Sequence, residues 1–319
     1  MNRFTCNYKL AGTKTFRLAS SKLLNRYGGN LQNVNRESRN IFIPDSGKCF
    51  VQVDQAGAEA RVVAYECPRG NLQKLFECNI KPHTYLAMYL FAEKFSAKKY
   101  LSIPIEDLNS ISEWKILDAT IRSSGQPYAI GKRVVHAGNY GEGPTTFRHS
   151  CLEQSEGTLV LSAAEAKLFL DGHKKLFPEI SCYHQNIEEK LKTTRELRNL
   201  FGYRRIFYER YTDALLRDAF SWIPQSTVGC ITNIACTRMQ QHIESEHLDW
   251  DLLTNTHDSY LLQCKKSEKD SLAVKAKLFI EAALISSSGV NYKMESEVQF
   301  GLNWGKVSKN NLEGMGCTL

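Results

Sequence analysis

The sequence lacks the features that mark three common classes of protein. No run of about 18 consecutive apolar residues occurs, so the printed sequence offers no candidate membrane-spanning helix. Residues 1–10 are polar and mixed, unlike a signal peptide. The ten cysteines form no C-x-x-C pair, which argues against a zinc ribbon or a thiol redox motif. We therefore expect reduced, mostly buried thiols in a cytoplasmic protein with no membrane partner.

An extreme charge is also absent. The 319 residues include 42% hydrophobic and 24% charged residues, which is ordinary for a folded globular protein. The 41 Lys and Arg against 34 Asp and Glu give a net charge of +7, which is compatible with a polyanionic partner without establishing one. The length is sufficient for one large domain or for two to three subdomains.

One stretch combines a strand, a carboxylate and a turn. Residues 49–53 alternate apolar and polar side chains and predict a short strand that ends at Asp54. Gly57 interrupts the pattern, and a helix is expected from Ala58 to Tyr65. A carboxylate at a strand end can hold a divalent metal ion. The alternative is that Asp54 simply caps the helix.

Two further patterns carry candidate chemistry. Lys132, His136 and Tyr140 are spaced by four on a predicted helix from about Tyr128 to Gly138, so they share one helix face. That face could meet a phosphate, a base and a sugar, or could be a solvated lysine beside two half-buried rings. Residues 252–262 predict two short strands with Asp258 at the tip, a second natural metal position.

In order along the chain, six blocks resemble the family A DNA polymerases, that is, bacterial DNA polymerase I and its phage relatives. The blocks are Arg17-Leu with Asn30-Leu-Gln-Asn33, Asp54-Gln-Ala-Gly-Ala-Glu59-Ala-Arg61, His83-Thr84, Lys132 with His136 and Tyr140-Gly141, Arg217-Asp-Ala-Phe-Ser-Trp-Ile-Pro-Gln225, and His257-Asp258. The closing strand that starts at Glu297 is similar to the C-terminal strand of that family.

The resemblance implies template-directed DNA synthesis by nucleotidyl transfer with two Mg²⁺ ions, for which Mn²⁺ could substitute. Asp54 and Asp258 would bind both metal ions, and Lys132 would complete the catalytic set by neutralising phosphate charge. The implied nucleotide-binding residues are Glu59, Arg61, His83, Lys132, His136 and Tyr140. Among these, Glu59 would exclude a 2′-hydroxyl and His136 would stack on the incoming base. The implied DNA contacts are Arg17, Asn30, Gln32, Asn33, Arg217, Gln225 and His257.

The resemblance also implies an α+β fold: a right-hand palm with an antiparallel sheet, plus mostly helical fingers. We expect a thumb remnant and palm entry over 1–48, palm over 49–82, fingers over 83–205 and palm over 206–319. Residues 96–127 are expected to be an irregular insertion within the fingers. Most of the thumb and any proofreading domain are expected to be absent. A separate polypeptide could supply a thumb or an exonuclease, or the chain could be a minimal, distributive enzyme.

Four departures from the family pattern leave the substrate open. Tyr128 stands where Arg is usual, His136 where Phe or Tyr is usual, Ser221 where Asn is usual, and Ser259 where Glu is often found. The expected partners are primer–template DNA and deoxynucleoside triphosphates. The alternatives are a polymerase with relaxed sugar selectivity that uses ribonucleotides, and a non-catalytic nucleic-acid-binding remnant of a polymerase.

Overall fold

The computed structural model describes residues 3–10, 12–23 and 28–317. The strands in these residues are β1 (Asn7–Lys9), β2 (Ala19–Ser21), β3 (Lys48–Gln55), β4 (Glu196–Arg198), β5 (Arg204–Ile206), β6 (Asp251–Asn255), β7 (Ser259–Lys265), β8 (Ala283–Ile285), β9 (Asn291–Lys293) and β10 (Ser296–Gly301). The α-helices are α1 (Ala58–Glu66), α2 (Asn71–Glu77), α3 (Pro82–Leu90), α4 (Ser112–Arg122), α5 (Gln126–Asn139), α6 (Pro144–Gln154), α7 (Ala163–Leu176), α8 (Glu179–Thr193), α9 (Asp213–Ser245) and α10 (Lys269–Ile280). Short 3₁₀ helices lie at Leu31–Asn33, Arg36–Ile41, Lys98–Ser102, Ile105–Ser110 and Lys266–Glu268.

A four-stranded antiparallel sheet in the order β10-β3-β7-β6 forms the centre of the fold. Strand β3 is one of its two inner strands and contributes buried apolar side chains to both faces of the sheet. Val51 and Val53 join the main hydrophobic core, whereas Phe50 packs with Leu261 and Trp304 in a smaller cluster. Because β3 contributes to both clusters, a shift of register by one residue would disrupt both of them.

Helices α3 to α8 make up most of the region between β3 and β4. Within it, α5 packs closely against α3 because Gly131 has no side chain: a Cβ there would lie 2.5 Å from the carbonyl oxygen of His83. Helix α7 begins at a capping box in which Ser162 and Glu165 bond to each other's backbone N–H groups. The α5 helix confirms the predicted helix that carries Lys132, His136 and Tyr140.

The expectation that residues 96–127 are irregular is wrong. They contain two 3₁₀ helices and the 11-residue helix α4. The side chains of Trp114 and Ile121 on α4 are buried, and Trp114 lies against the rings of Tyr85 and Tyr100. The turn-forming residues at Pro104 and at 123–125 therefore separate helical segments.

Helix α9 runs for 33 residues and continues through Pro224, although a proline inside a helix usually kinks or ends it. Proline lacks a backbone N–H, so the carbonyl of Phe220, four residues earlier, loses its usual helical partner. The hydroxyl of Tyr183, on α8, donates a hydrogen bond to that carbonyl at 2.8 Å. A partner that is distant in sequence thus satisfies the carbonyl that the proline leaves free.

Helices packed around an antiparallel sheet confirm the predicted α+β class. No helix in the described part of the chain combines the length and the apolar character that crossing a membrane requires.

Candidate active site

The two predicted metal-binding aspartates lie side by side at one end of the central sheet. Asp54 is the penultimate residue of β3, and Asp258 immediately precedes β7. The backbone N–H of Gln55 donates to the carbonyl of Asp258 at 3.0 Å and joins the two strand ends. Both carboxyl groups are thereby presented from adjacent strands, as the sequence predicts.

Both carboxyl groups resist ionisation. Loss of hydration inside the surrounding cavity, followed by the charges of Asp258 and Glu297, raises the pKa of Asp54 to about 7. The pKa of Asp258 is also raised, chiefly by desolvation. Solvent reaches both side chains through the cavity mouth, whereas the cavity walls displace much of the water around them. Among the described residues, no side chain hydrogen-bonds to or forms an ion pair with either carboxylate, so both oxygen pairs are available to a cation.

The turn that presents Asp258 is tied to helix α9. His257 has a φ of 77°, a conformation that is uncommon for a residue with a side chain. Its carbonyl accepts a hydrogen bond from Thr232 on α9 at 2.9 Å, and Thr232 in turn accepts one from the buried amide of Gln55 at 2.7 Å. The Oδ1 atom of Asn255 accepts the N–H of His257 at 3.0 Å. This network holds the turn in its strained conformation and fixes the position of Asp258.

Glu59 is the centre of a second cluster. It lies in the first turn of α1, and Arg17 forms an ion pair with its carboxylate. The phenol of Tyr140, at the end of α5, donates a hydrogen bond to the same carboxylate, and the Nε2 atom of His136 lies 3.8 Å away. Burial raises the pKa of Tyr140, which keeps the phenol protonated as a donor. The cluster brings together four residues predicted from three separate blocks.

The exposed side chain of Lys132 faces the aspartates from α5. Desolvation and then the charge of Arg36 lower its pKa, while the charges of Asp258 and Asp54 oppose that shift. Among the described residues, no carboxylate lies within ion-pair distance of its ammonium group. Lys132 therefore presents a positive charge to the cavity without a protein partner.

One turn earlier on α5, Tyr128 forms a neutral pair with His83. The phenol oxygen lies 2.9 Å from the Nε2 atom of His83. Burial, and then the charges of Lys132 and Lys81, lower the pKa of His83 to about 3, so its imidazole is uncharged. The position where the family usually has Arg thus carries a hydroxyl group that is bonded to a neutral ring.

These groups line one cavity of about 660 Å³. Its other carboxylates are paired: Glu297 with Lys81 at 2.9 Å, and Glu295 with Arg61 at 2.7 Å. The guanidinium of Arg61 also lies over the ring of Phe76, and its side chain is buried. The cavity brings together eight predicted residues: Asp54, Glu59, Arg61, His83, Lys132, His136, Tyr140 and Asp258.

All seven predicted DNA contacts lie outside the cavity lining. Asn30 accepts hydrogen bonds from the backbone of Gln32 and Asn33 and so caps a 3₁₀ helix. Buried Gln32 accepts the backbone N–H of Ser20 at 2.8 Å, whereas Asn33 is exposed. The amide oxygens of Asn30 and Gln32 are therefore engaged within the chain, and their roles as DNA contacts stay predictions.

Three other predicted DNA contacts lie on α9 or in the turn before β7. Arg217 and Gln225 are half-buried on α9. The Nδ1 atom of His257 is buried and has no hydrogen-bond partner in the described residues. An unsatisfied buried nitrogen beside Asp258 is consistent with a contact to a ligand that the isolated chain lacks.

The sequence reasoning missed charged residues that act on the site from a distance. The charge of Arg36 opposes the rise in the pKa of Asp54 and adds to the fall in the pKa of Lys132 that desolvation causes, and Arg39 and Asp258 interact electrostatically. Glu297 lies directly opposite Asp54 in the pairing of β10 with β3. Lys81, which forms an ion pair with Glu297, also lines the cavity. The cluster of basic residues at 36–39 was the available signal for the arginines. The strand register that places Glu297 beside Asp54 has no local signature.

The fold resembles that of a solved polymerase domain. The POL domain of Pol1 from M. smegmatis, solved as a complex with DNA primer-template and dNTP, matches with a TM-score of 0.67 and 18% sequence identity. The match covers 94% of this chain and 47% of that one. The sheet and its surrounding helices therefore have the architecture of a polymerase domain.

Sequence comparisons identify the family. The model of DNA polymerase family A matches residues 130–306, more than half of the chain, and the chain belongs to that family. DNA polymerase I of Caldicellulosiruptor bescii is 23% identical over 306 residues, covering 92% of this chain and 31% of that protein. The thermostable DNA polymerase I of Thermus aquaticus is 22% identical over 314 residues, covering 95% and 32%. The chain thus spans about a third of the length of these relatives.

Proposed function

We propose that the chain is the core of a template-directed DNA polymerase that adds deoxynucleotides to the 3′ end of a primer. The observation that carries this proposal is the pair of aspartates at the strand ends. Asp54 and Asp258 face a cavity, have raised pKa values and contact no cation from the described residues. Ionising both carboxyl groups of such a pair is unfavourable without a counter-ion, and binding of a divalent cation offsets that cost.

The donor set fits Mg²⁺ ions, with Mn²⁺ as a substitute. Within the described residues, no cluster of three or more His, Cys, Asp or Glu side chains could hold a metal ion. Two carboxylates with no nitrogen or sulfur donor suit a hard cation that takes its remaining ligands from water and substrate phosphates. When bound, two such ions would activate the primer hydroxyl and stabilise the leaving pyrophosphate.

The cavity supports a nucleotide-binding role for the residues around the aspartates. Its volume of about 660 Å³ is in the range of small-molecule sites. Lys132 would bind the triphosphate, and the exposed ring of His136 would stack on the base. Glu59, held by Arg17 and Tyr140, would lie against the sugar and disfavour a 2′-hydroxyl. His83 would bind phosphate as a neutral donor, and Arg61 would hold the wall of the cavity through Glu295.

Primer–template DNA is the proposed partner. The Pol1 domain that resembles this chain was solved with DNA primer-template and dNTP. By analogy, Arg17, Arg217, Gln225 and His257 would contact the duplex near the primer end, with Asn30, Gln32 and Asn33 beside the minor groove. The unsatisfied Nδ1 atom of His257 supports a phosphate contact next to Asp258.

The decisive experiment is primer extension with Mg²⁺ on a recessed-end duplex, comparing the wild type with Asp258→Asn. We expect incorporation to fall by about 10²-fold or more while DNA binding is retained, because the variant removes a metal ligand and keeps the shape. Asp270→Asn, an exposed aspartate on α10, is the matched control and should remain active. Equal incorporation by Asp258→Asn and the wild type would refute the proposal.

The same assay separates the alternatives. Equal or better extension with ribonucleotides than with deoxynucleotides would identify a polymerase with relaxed sugar selectivity, the alternative that His136 and Ser259 suggest. DNA binding without incorporation by the wild type would identify a non-catalytic remnant. Long products from the isolated chain, shown to be monomeric by gel filtration, would contradict the prediction that a separate polypeptide supplies a thumb.

A further inference from the structure

Residues 190–211, which we call the basic segment, concentrate positive charge and exposed aromatic rings. They include seven Lys or Arg and two Glu residues, a net charge of +5 where the whole chain carries +7. The segment covers the end of α8, the β4–β5 hairpin and the loop before α9. It lies outside the cavity lining and has no role in the proposed catalytic chemistry.

The exposed rings are unusual for this protein. Among the described residues, five aromatic side chains are exposed, and four of them belong to the basic segment: Phe201, Tyr203, Tyr208 and Tyr211. Tyr208 is the most exposed at 86%. A folded chain gains by burying such rings, so a group of them at the surface indicates a surface that binds a partner.

Part of the charge is used within the protein. Half-buried Arg205 pairs with Asp218, and Glu196 lies 2.6 Å from Arg198 and 3.7 Å from Arg204. By contrast, Arg210 is exposed and forms no ion pair with any described residue. Lys192 and Arg195 lie near the ring of Tyr211, at 5.9 and 6.0 Å from its centre. Cations that lie beside exposed rings match the chemistry of a nucleic-acid strand, where phosphates and bases alternate.

The hairpin tip lies close to the active site. The Oγ1 atom of Thr227 accepts the backbone N–H of Leu200 at 3.4 Å, and the amide of Asn199 contacts Cys230 at 3.6 Å. Thr232, on the same helix, holds the turn that presents Asp258. The hairpin also contacts the N-terminal part of the chain, where the ring of Phe16 lies 4.9 Å from that of Tyr203. The next residue, Arg17, forms an ion pair with Glu59.

From this placement we infer that the basic segment is a binding surface for single-stranded nucleic acid next to the active site. Exposed rings can stack only on bases that are not already stacked in a duplex, which favours a single strand over a double helix. Cations near the rings would contact the backbone phosphates. The inference deepens the proposed function, since the strand would be the unpaired part of a template.

The test is fluorescence anisotropy with a labelled oligothymidylate and with a blunt duplex, in EDTA so that no catalysis occurs. Tyr208→Leu should weaken binding of the single strand by about five-fold or more, because a base loses its stacking partner. Tyr208→Phe keeps the ring and should bind like the wild type. Neither variant should alter binding of the blunt duplex. Unchanged binding of the single strand by Tyr208→Leu, or an equal loss on the blunt duplex, would overturn the inference.

A charge variant adds a second readout. Arg210→Gln should lower the slope of log affinity against log salt concentration by about 0.7, as expected for one lost phosphate contact on a single strand. Lys115→Gln, which removes an exposed cation on α4, is the control and should leave the slope unchanged. An unchanged slope for Arg210→Gln would contradict a phosphate contact in the basic segment.

The outcomes distinguish this inference from the proposed function. If the wild type extends no primer but Tyr208→Leu loses affinity for the single strand, the polymerase proposal fails and the binding surface stands. If extension is normal and Tyr208→Leu binds the single strand like the wild type, only the binding surface fails.

Discussion

The carboxylates at the floor of the cavity and those on its wall differ in what they contact. On the wall, Glu59, Glu295 and Glu297 are each held by a cation of the protein, namely Arg17, Arg61 and Lys81. On the floor, Asp54 and Asp258 contact no cation from the described residues, and the pKa of each is raised. One cavity thus contains acids whose charge is already balanced and acids whose charge is not.

The contrast separates residues that shape the site from residues that await a ligand. An ion pair fixes the position of a wall carboxylate and offsets part of its charge. An uncompensated pair on the floor lowers the stability of the isolated protein and favours cation binding. The same distinction applies to the cations: Lys81 is paired with Glu297, whereas Lys132 has no ion-pair partner in the part of the chain that the structure describes.

The largest effect is expected at Lys132. Lys132→Ala should lower kcat/KM for nucleotide incorporation by about 10²-fold, because it removes a cavity-facing charge that has no ion-pair partner among the described residues and that, under the proposed function, would bind the substrate phosphates. Lys81→Ala, on the cavity wall, should cost only a few-fold, since Glu297 already balances Lys81. Steady-state primer extension measures both. Similar losses in the two variants would remove the distinction between paired and unpaired cations.

The next effect concerns the pH dependence of stability at His173, whose side chain is fully buried in the helical region. Burial lowers the pKa of His173 to about 3, so below the ordinary histidine pKa of about 6.5 only the unfolded state takes up a proton. The stability contributed by neutral His173 is present above about pH 6.5 and is lost as the pH falls. His173→Gln should therefore reduce the loss of unfolding free energy between about pH 7 and pH 5 by about 2 kcal/mol.

Denaturant unfolding at a series of pH values measures this change. His149→Gln, at an exposed histidine on α6, serves as the control and should keep the pH dependence of the wild type. A His173→Gln protein with an unaltered pH profile would contradict the assignment of a neutral buried ring.

The smallest effects should have opposite signs on the floor and on the wall. In EDTA at about pH 8, Asp54→Asn should raise the unfolding free energy by about 1 kcal/mol, a figure reduced for screening at a solvent-reached carboxylate. Glu295→Gln should lower it by about 1 kcal/mol, because buried Arg61 loses its charged partner. Denaturant unfolding measures both. A shift of the same sign in the two variants would show that the floor carboxylates are not under repulsion.

The parts of the site that the sequence predicted correctly are local in origin. The alternation before Asp54, the hairpin around Asp258 and the spacing of Lys132, His136 and Tyr140 each depend on a few consecutive residues, and the structure has the expected strand, hairpin and helix. The resemblance to a family then indicated which of these elements belong together.

The features that were missed depend on contacts between distant residues. Helix α9 passes through Pro224 because Tyr183 satisfies the freed carbonyl, and no pattern near Pro224 reveals that partner. Helix α4 is stabilised by burying Trp114 against rings from other elements. The amide of Asn30, predicted to contact DNA, caps a 3₁₀ helix, and its residue type suits both roles.

Helix α9 sets a distance as well as a contact. Thr227 holds the tip of the basic segment and Thr232 holds the turn of His257, so the two attachments are about 8 Å apart along a single helix axis. Because the rise per residue of an α-helix is fixed, α9 sets the separation of these two attachments. Inserting one residue between Thr227 and Thr232 would rotate one attachment relative to the other by about 100° and lengthen their separation by about 1.5 Å. The basic segment and the turn that presents Asp258 would each remain intact, and only their alignment with each other would be lost.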